Sequence, residues 1–218
     1  MRSGAEVTDV FVSGSVDDAD LAGLAGGRVT PVGESVLRAI SDASTPQGIV
    51  ARVAMPEPVD VSDGADPVVV LAQVRDPGNA GTLVRSAVAA GAGAVVFSKG
   101  SVDPFGPKTV RASAGALFRV PIVRDADLLS TLGNLRESGV FLIGASARGS
   151  ASYDEVDLTR RTAFVLGNEA WGLEPEITAR LDEIVSIPMP GPVESLNVGI
   201  AGSILLFETV RQRRGLSS

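Results

Sequence analysis

Residues 68–97 read VVVLAQVRDPGNAGTLVRSAVAAGAGAVVF. A run of β-branched and apolar residues meets a Pro-Gly-Asn-Ala-Gly turn, then a helical pattern carrying Arg85, then a second apolar strand. Parallel strands need a crossover between them, usually a helix, so this is the unit from which parallel sheets are built. A dinucleotide cradle starts the same way, but its turn reads GxGxxG. Here GNAG holds two glycines three apart with an arginine beyond, and that fingerprint fails.

The alternation continues to the C-terminus. GAVVF precedes the helix-like PKTVRASAGAL, RVPIV precedes ADLLSTLGNLRESG, and VFLIGAS follows as a strand. AFVLG leads through EPEITARLD to EIVSIP, and ESLNVGIAGSILLFETVRQRR (194–214) closes the chain as a long helix. Short apolar strands alternating with helices predict an α/β fold with a mostly parallel sheet covered on both faces. Upstream, VTDVFVSG, RVTPV and QGIVARV read as strands, with helices expected over 17–25 and 34–42. The Pro-, Asp- and Gly-rich MPEPVDVSDGADP has no periodicity and reads as a linker. The expected organisation is a partial small α/β domain over 1–54, a linker over 55–66 and a main domain over 67–218.

Composition narrows the chemistry. Among 218 residues there is no Cys and no His. Disulfides, thiolate nucleophiles, Ser-His-Asp hydrolysis and nearly every zinc site are thereby excluded. A carboxylate-bound magnesium stays open, although no metal ligands are assigned. Any reaction must run on the remaining polar side chains or on a cofactor that brings the reactive group. No apolar run approaches the roughly 18 residues of a membrane span, and the N-terminus lacks a signal-peptide core, so a cytoplasmic protein without membrane association is expected.

The net charge of −7 argues against a nucleic-acid partner until its placement is considered. Residues 1–65 carry 10 acids and 4 bases, whereas residues 66–218 carry 16 and 15. Between Lys99 and Arg124 stand Lys99, Lys108, Arg111, Arg119 and Arg124, with Asp103 the one acid. Such a stretch is either a solvated face or a local phosphate-binding surface.

Ligands of open parallel sheets bind beyond the carboxyl ends of the strands. Three polar, glycine-containing segments fall at such ends: RDPGNAG (75–81), LGNEAWGLEPE (166–176) and IPMPGPVESLN (187–197). In the first, Asn79 is expected to cap the following helix. Gly81 lies four residues before Arg85, on the same helix face, and leaves space beside the guanidinium. Arg85 itself is either a surface ion pair or a working residue. In the second, a strand tip offers backbone amides, the Glu169 carboxylate and Trp171, which can hold an adenosine or a cationic group; alternatively it is a turn ahead of a helix. In the third, a loop stiffened by prolines delivers Ser195 and Asn197 to the last helix, with capping by Ser195 as the plain alternative.

In order and spacing, the three segments resemble the SpoU branch of the SPOUT RNA 2′-O-ribose methyltransferases. PGNAGTLVRSA is similar to the family's first motif, VLGNEAWGL to its second and IPMPGPVESLNVGIA to its third. The resemblance covers about residues 66–214 and includes the intervening DPFGPKTVRASAGALFRVPIV. It implies a C-terminal trefoil knot, a homodimer with the site near the interface, and S-adenosyl-L-methionine held at Gly167, Ile187 and Leu196 with Met189 and Asn197. It also implies that Arg85 acts on the target hydroxyl, supported by Asn79, Glu169, Ser195 and Asn197. The opening glycines would then clear space for an RNA ribose. RVTPVGESVLRAISDASTPQGIVARV resembles the end of a ribosomal-protein-like RNA-binding domain. It departs from that domain in its acidity and in the short stretch before Val7, and Gly199 stands where the family commonly has Ser.

This chemistry suits a chain without His or Cys, because the cofactor supplies an activated methyl on a sulfonium. A guanidinium is a poor base, so Arg85 is expected to stabilise a developing alkoxide; proton loss to an RNA phosphate is the alternative. In that setting Lys108, Arg111 and Arg119 read as part of an RNA groove. The resulting expectation is methyl transfer to a ribose 2′-OH of structured RNA, rRNA before tRNA. A non-catalytic RNA-binding or assembly protein that kept the fold is the second reading. A nucleotide-dependent oxidoreductase, lacking GxGxxG, is the third.

Overall fold

The computed structural model describes residues 6–14, 16, 27–43, 45–57, 59, 61 and 64–215. The helix expected over 17–25 lies outside them. The chain divides into two units after Glu57.

In the first unit, β1 (Val7–Val12) is the middle strand of three. It pairs parallel with β2 (Arg28–Pro31) and antiparallel with β3 (Ile49–Val53). The helix α1 (Glu34–Ile40) buries Leu37, and Val10 is fully buried. Asp9 is almost fully buried as well, and is ion-paired with Arg52 at 2.6 Å and Arg28 at 3.5 Å.

The second unit is built on a seven-stranded sheet in the order β6-β5-β4-β9-β7-β10-β8, with every neighbouring pair parallel. Its strands are β4 (Val68–Leu71), β5 (Ala94–Ser98), β6 (Ile122–Ala126), β7 (Phe141–Ala145), β8 (Ala151–Ser152), β9 (Thr162–Leu166) and β10 (Glu183–Ser186). The helices are α2 (Pro77–Ala89), α3 (Pro107–Ser113), α4 (Leu128–Glu137), α5 (Pro175–Thr178) and α6 (Val198–Arg214), with a 3₁₀ turn at Ala116–Arg119.

Period-two alternation makes two cores from continuous apolar strands. Val69, Leu71, Val95, Phe97, Phe164 and Leu166 face α2 and α6. Val68, Val70, Ala94, Val96, Ala163 and Val165 face Leu132 and Leu135 of α4 and Ile177 of α5. At the first face, glycine sets how closely the helices approach. A Cβ on Gly202 would lie 2.4 Å from Leu83 and 2.5 Å from Leu166. A Cβ on Gly81 would lie 2.4 Å from the Ala112 Cβ. Gly81 therefore seats α2 against α3. The space expected beside Arg85 is filled by Ala112, so that glycine clears nothing for a ribose.

The in-register pairing of Leu71 with Leu166 ends β4 and β9 at the same level. Because the sheet is parallel, the loops leaving β4, β9 and β10 emerge on one edge. The chain from β4 to β6 steps one way across the sheet and the rest lies on the other side, so β4 and β9 flank the reversal. Crevices at such a reversal are where α/β sheets bind ligands.

Candidate active site

α2 begins at Pro77, because proline's fixed φ and missing N–H suit the first helical position. That makes Asp76 the cap: its carboxylate accepts from the Asn79 N–H at 2.8 Å. The expected cap, Asn79, is instead the third helical residue, and its side chain is free for other work. α6 likewise begins four residues later than expected. Its cap is Asn197, whose Oδ1 accepts from the N–H groups of Gly199 (2.9 Å) and Ile200 (3.2 Å). Ser195 lies upstream on the exposed loop and lines the cavity. Gly199 fits this turn closely, as a Cβ there would sit 3.1 Å from the Asn197 Oδ1.

The two asparagines and Glu169 join the three loop segments in one relay. Asn197 Nδ2 donates to Asn79 Oδ1 at 2.7 Å, and Asn79 Nδ2 donates to Glu169 Oε1 at 3.1 Å. The direction is fixed from both ends. A carboxylate only accepts, which orients Asn79, and backbone N–H groups only donate, which orients Asn197. Glu169 also accepts from the backbone N–H of Asp76 (3.2 Å) and of Arg75 (3.4 Å).

Partial burial alone would raise the Glu169 pKa. The hydrogen bonds from the Asn79 side chain and from the backbone of Glu169, Asp76 and Arg75 together outweigh burial and hold it below its ordinary 4.5. Glu169 is thus an anion at neutral pH and a weak base. Its work is to orient Asn79 and the 75–76 backbone.

Two participants have no role assigned from the sequence, although Asn168 stands at the tip of the second strand-end segment. Gln73 has a left-handed φ of 57° and is held there on both sides. Its N–H donates to Ser98 Oγ at 3.0 Å, and its side-chain amide donates to Glu174 at 3.0 Å. Asn168 is buried; its Nδ2 donates to the Gln73 carbonyl at 2.8 Å and its Oδ1 accepts from the Ala170 N–H at 2.8 Å. Polar residues at a strand end were the available signal, but only the sheet register shows that these two meet.

Beside the relay lies a cavity of about 600 Å³. Asn79, Gly167, Glu169, Ile187, Met189, Ser195, Leu196 and Asn197, all expected at the site, line it. Gly167 admits no side chain, since a Cβ would lie 2.4 Å from the Gly172 carbonyl carbon. Arg148, from the loop after β7, and Glu169 are the charged lining residues. Arg85 does not line the cavity; it is exposed on α2 and makes no ion pair among the described residues, so the surface-pair alternative is not what the structure contains. Lys108 and Arg111, three apart on α3, and Arg119 on the 3₁₀ turn are exposed and also outside the lining. No described helix is long and apolar enough to cross a membrane.

Comparison with known proteins gives a consistent result. Residues 66–207 match the model of the SpoU rRNA Methylase family. The chain is 36% identical over 174 residues to the 23S rRNA (guanosine(2553)-2′-O)-methyltransferase of Bacillus subtilis, covering 80% of this chain and 69% of that one. It is 42% identical over 157 residues to the 23S rRNA (guanosine-2′-O-)-methyltransferase of Xanthomonas axonopodis pv. citri, covering 72% of this chain and 63% of that one, just under two thirds of the relative's length. Among solved structures, the AdoMet-bound rRNA methyltransferase of Sinorhizobium meliloti superposes with a TM-score of 0.84 at 32% identity, over 95% of this chain and 81% of that one.

Proposed function

The chain belongs to the SpoU rRNA Methylase family, and on that premise we propose that it transfers a methyl group from S-adenosyl-L-methionine to a ribose 2′-hydroxyl of structured RNA, ribosomal RNA in particular. The observation that carries this reading is the Asn197–Asn79–Glu169 relay, which ties all three loop segments together at the mouth of one cavity. The 23S rRNA substrates in the relatives' names support the choice of RNA.

The cavity suits the cofactor. Its volume is in the range of small-molecule sites. Its walls combine apolar side chains with one acid and one base, matching a ligand that carries an aromatic base, a sulfonium and an amino-acid group. Gly167, Ile187, Met189, Leu196 and Asn197 would hold it. When bound, it supplies an electrophilic methyl group. The chain's own residues then align the ribose oxygen and handle the charge that develops as its proton passes to solvent water. The ionised Glu169 keeps Asn79 pointing its carbonyl toward Asn197, which fixes the two loops that frame the reacting atoms, and Ser195 supplies a hydroxyl at the same rim. Arg85 stabilises the 2′-alkoxide through the charge and the N–H donors of its guanidinium.

Arg85 lies outside the lining of its own chain's cavity, so the reading includes a homodimer in which the site is completed near the interface. Support comes from α6: Ile200 and Phe207, seven residues apart on one helix face, are each about half exposed. A trefoil knot is also part of the proposal. The insertion of β9 between the earlier strands β4 and β7 is in keeping with a threaded C-terminal half. The first unit acts as an RNA-binding domain joined through the linker, Lys108, Arg111 and Arg119 contact RNA phosphates, and the protein works in the cytoplasm on ribosomal RNA.

Isothermal titration of the full-length protein with S-adenosylhomocysteine tests the reading. Binding at micromolar concentration or tighter is expected. No binding by the dimer would overturn it.

A further inference from the structure

Trp171 is the chain's only tryptophan, and 50% of its surface is exposed at the rim of the cavity. An indole left half in water forgoes a large hydrophobic gain. It is nevertheless held firmly. Asn168 and Gly172 close its turn with reciprocal backbone hydrogen bonds of 3.0 and 2.9 Å, and Asn168 ties the turn to Gln73. The Arg75 guanidinium lies over the indole ring, 5.0 Å from its centroid. Arg75 in turn donates its backbone N–H to Glu169. The ring, the cation and the relay are therefore mechanically connected.

We propose that the Arg75–Trp171 pair is a stacking platform for an unpaired nucleobase of the RNA substrate, beside the nucleotide whose ribose is methylated. This rests on the methyltransferase reading and adds the feature of the RNA that is gripped. Every base presents a π-face, so a rigid aromatic with an adjacent guanidinium holds bases with little regard to sequence and attracts the neighbouring phosphate. Unpaired bases occur in loops, bulges and ends, where they are free to splay out onto such a ring. The platform thus selects a target within a loop over one within a continuous helix. The competing occupant is the cofactor's adenine. Arg75 is not part of the cavity lining, so the pair extends outward from the rim, away from the space a cofactor would fill. Trp171 contacts the base, and Arg75 is a positioning residue for the ring.

The test uses the full chain, with and without S-adenosylhomocysteine, and hexa-adenylate RNA as the stacking probe. In the unmodified protein the RNA should quench the single tryptophan's fluorescence, a readout that needs no variant. Trp171→Ala should weaken hexa-adenylate binding about tenfold, within the range of roughly 5- to 150-fold per stacked base. Trp171→Phe should recover most of that affinity. The dissociation constant for S-adenosylhomocysteine, measured by calorimetry, should be the same in all three proteins. Absence of quenching together with unchanged RNA affinity would overturn the platform. So would a comparable loss of S-adenosylhomocysteine affinity in Trp171→Ala, which would assign the indole to the cofactor. If the unmodified protein bound no S-adenosylhomocysteine, the methyltransferase reading would fail while the quenching still decided the platform.

Discussion

Asn197 performs two tasks that substitution can separate. Its Oδ1 caps α6 through two backbone N–H groups, and its Nδ2 donates to Asn79. Asn197→Ala removes both. Loss of a cap costs about 1 kcal/mol, with an upper range of about 2. A neutral side-chain hydrogen bond contributes about 0.5–1.5 kcal/mol net. With the cap at its typical value, the two together come to about 1.5–2.5 kcal/mol, equivalent to a fall in Tm of roughly 3–10 °C for a protein of this size. Asn197→Asp keeps the cap, since aspartate and asparagine cap equally well and a negative charge favours a helix N-terminus. It cannot donate to Asn79, and it places a second carboxylate in competition for the Asn79 amide. Its Tm should therefore fall by less than that of Asn197→Ala, while methyl transfer falls on the order of tenfold or more. Thermal unfolding followed by the fluorescence of Trp171, the only tryptophan, reports on the unit that contains α6. Equal Tm losses in the two variants would refute the capping argument. Full activity in Asn197→Asp would refute the relay.

Gly202→Ala should destabilise by about 1–3 kcal/mol through overpacking against Leu83 and Leu166, visible as a lower urea midpoint with an unchanged m-value. Glu169→Gln should be less stable than the unmodified protein at pH 7. Because the folded Glu169 pKa is lowered, the stabilisation is fully present above the ordinary 4.5 and disappears as pH falls through the folded value, so the gap between the two Tm values should narrow below pH 4.5; a gap constant with pH would show that ionisation plays no part. Arg85→Ala should bind S-adenosylhomocysteine with unchanged affinity in calorimetry and lose methyl transfer to RNA, whereas an active variant would remove Arg85 from the reaction. Neutralising Lys108 and Arg111 together should reduce the slope of log affinity for RNA against log salt by about 1.4–1.8, and an unchanged slope would exclude them from the RNA surface.

The parallel sheet was legible because strands buried on both faces are written as apolar runs, as in Val68–Leu71 and in 163–166 after the buried Thr162. The three loop segments were legible because their glycines, prolines and asparagines cluster at strand ends. Helix starts were less so. Asn79 and Asp76 are both good caps, and the deciding residue, Pro77, fixes the start two positions ahead of Asn79. The two-residue β8 is too short to carry a period. Gly81 was read from its helix face alone, but what fills the space beside it is Ala112, which lies 31 positions on. The relay shows the same limit. Asn79, Glu169 and Asn197 were each selected, yet which one donates to which follows from the register that ends β4 and β9 together and from the backbone groups that orient each amide.

Mapping of ribose methylation in ribosomal RNA from a strain lacking this gene, by mass spectrometry of nuclease fragments, tests the proposed activity most directly. One 2′-O-methyl group should be lost, and it should return when the unmodified gene is restored but not with Arg85→Ala. Identical methylation maps in the presence and absence of the gene would contradict the proposal.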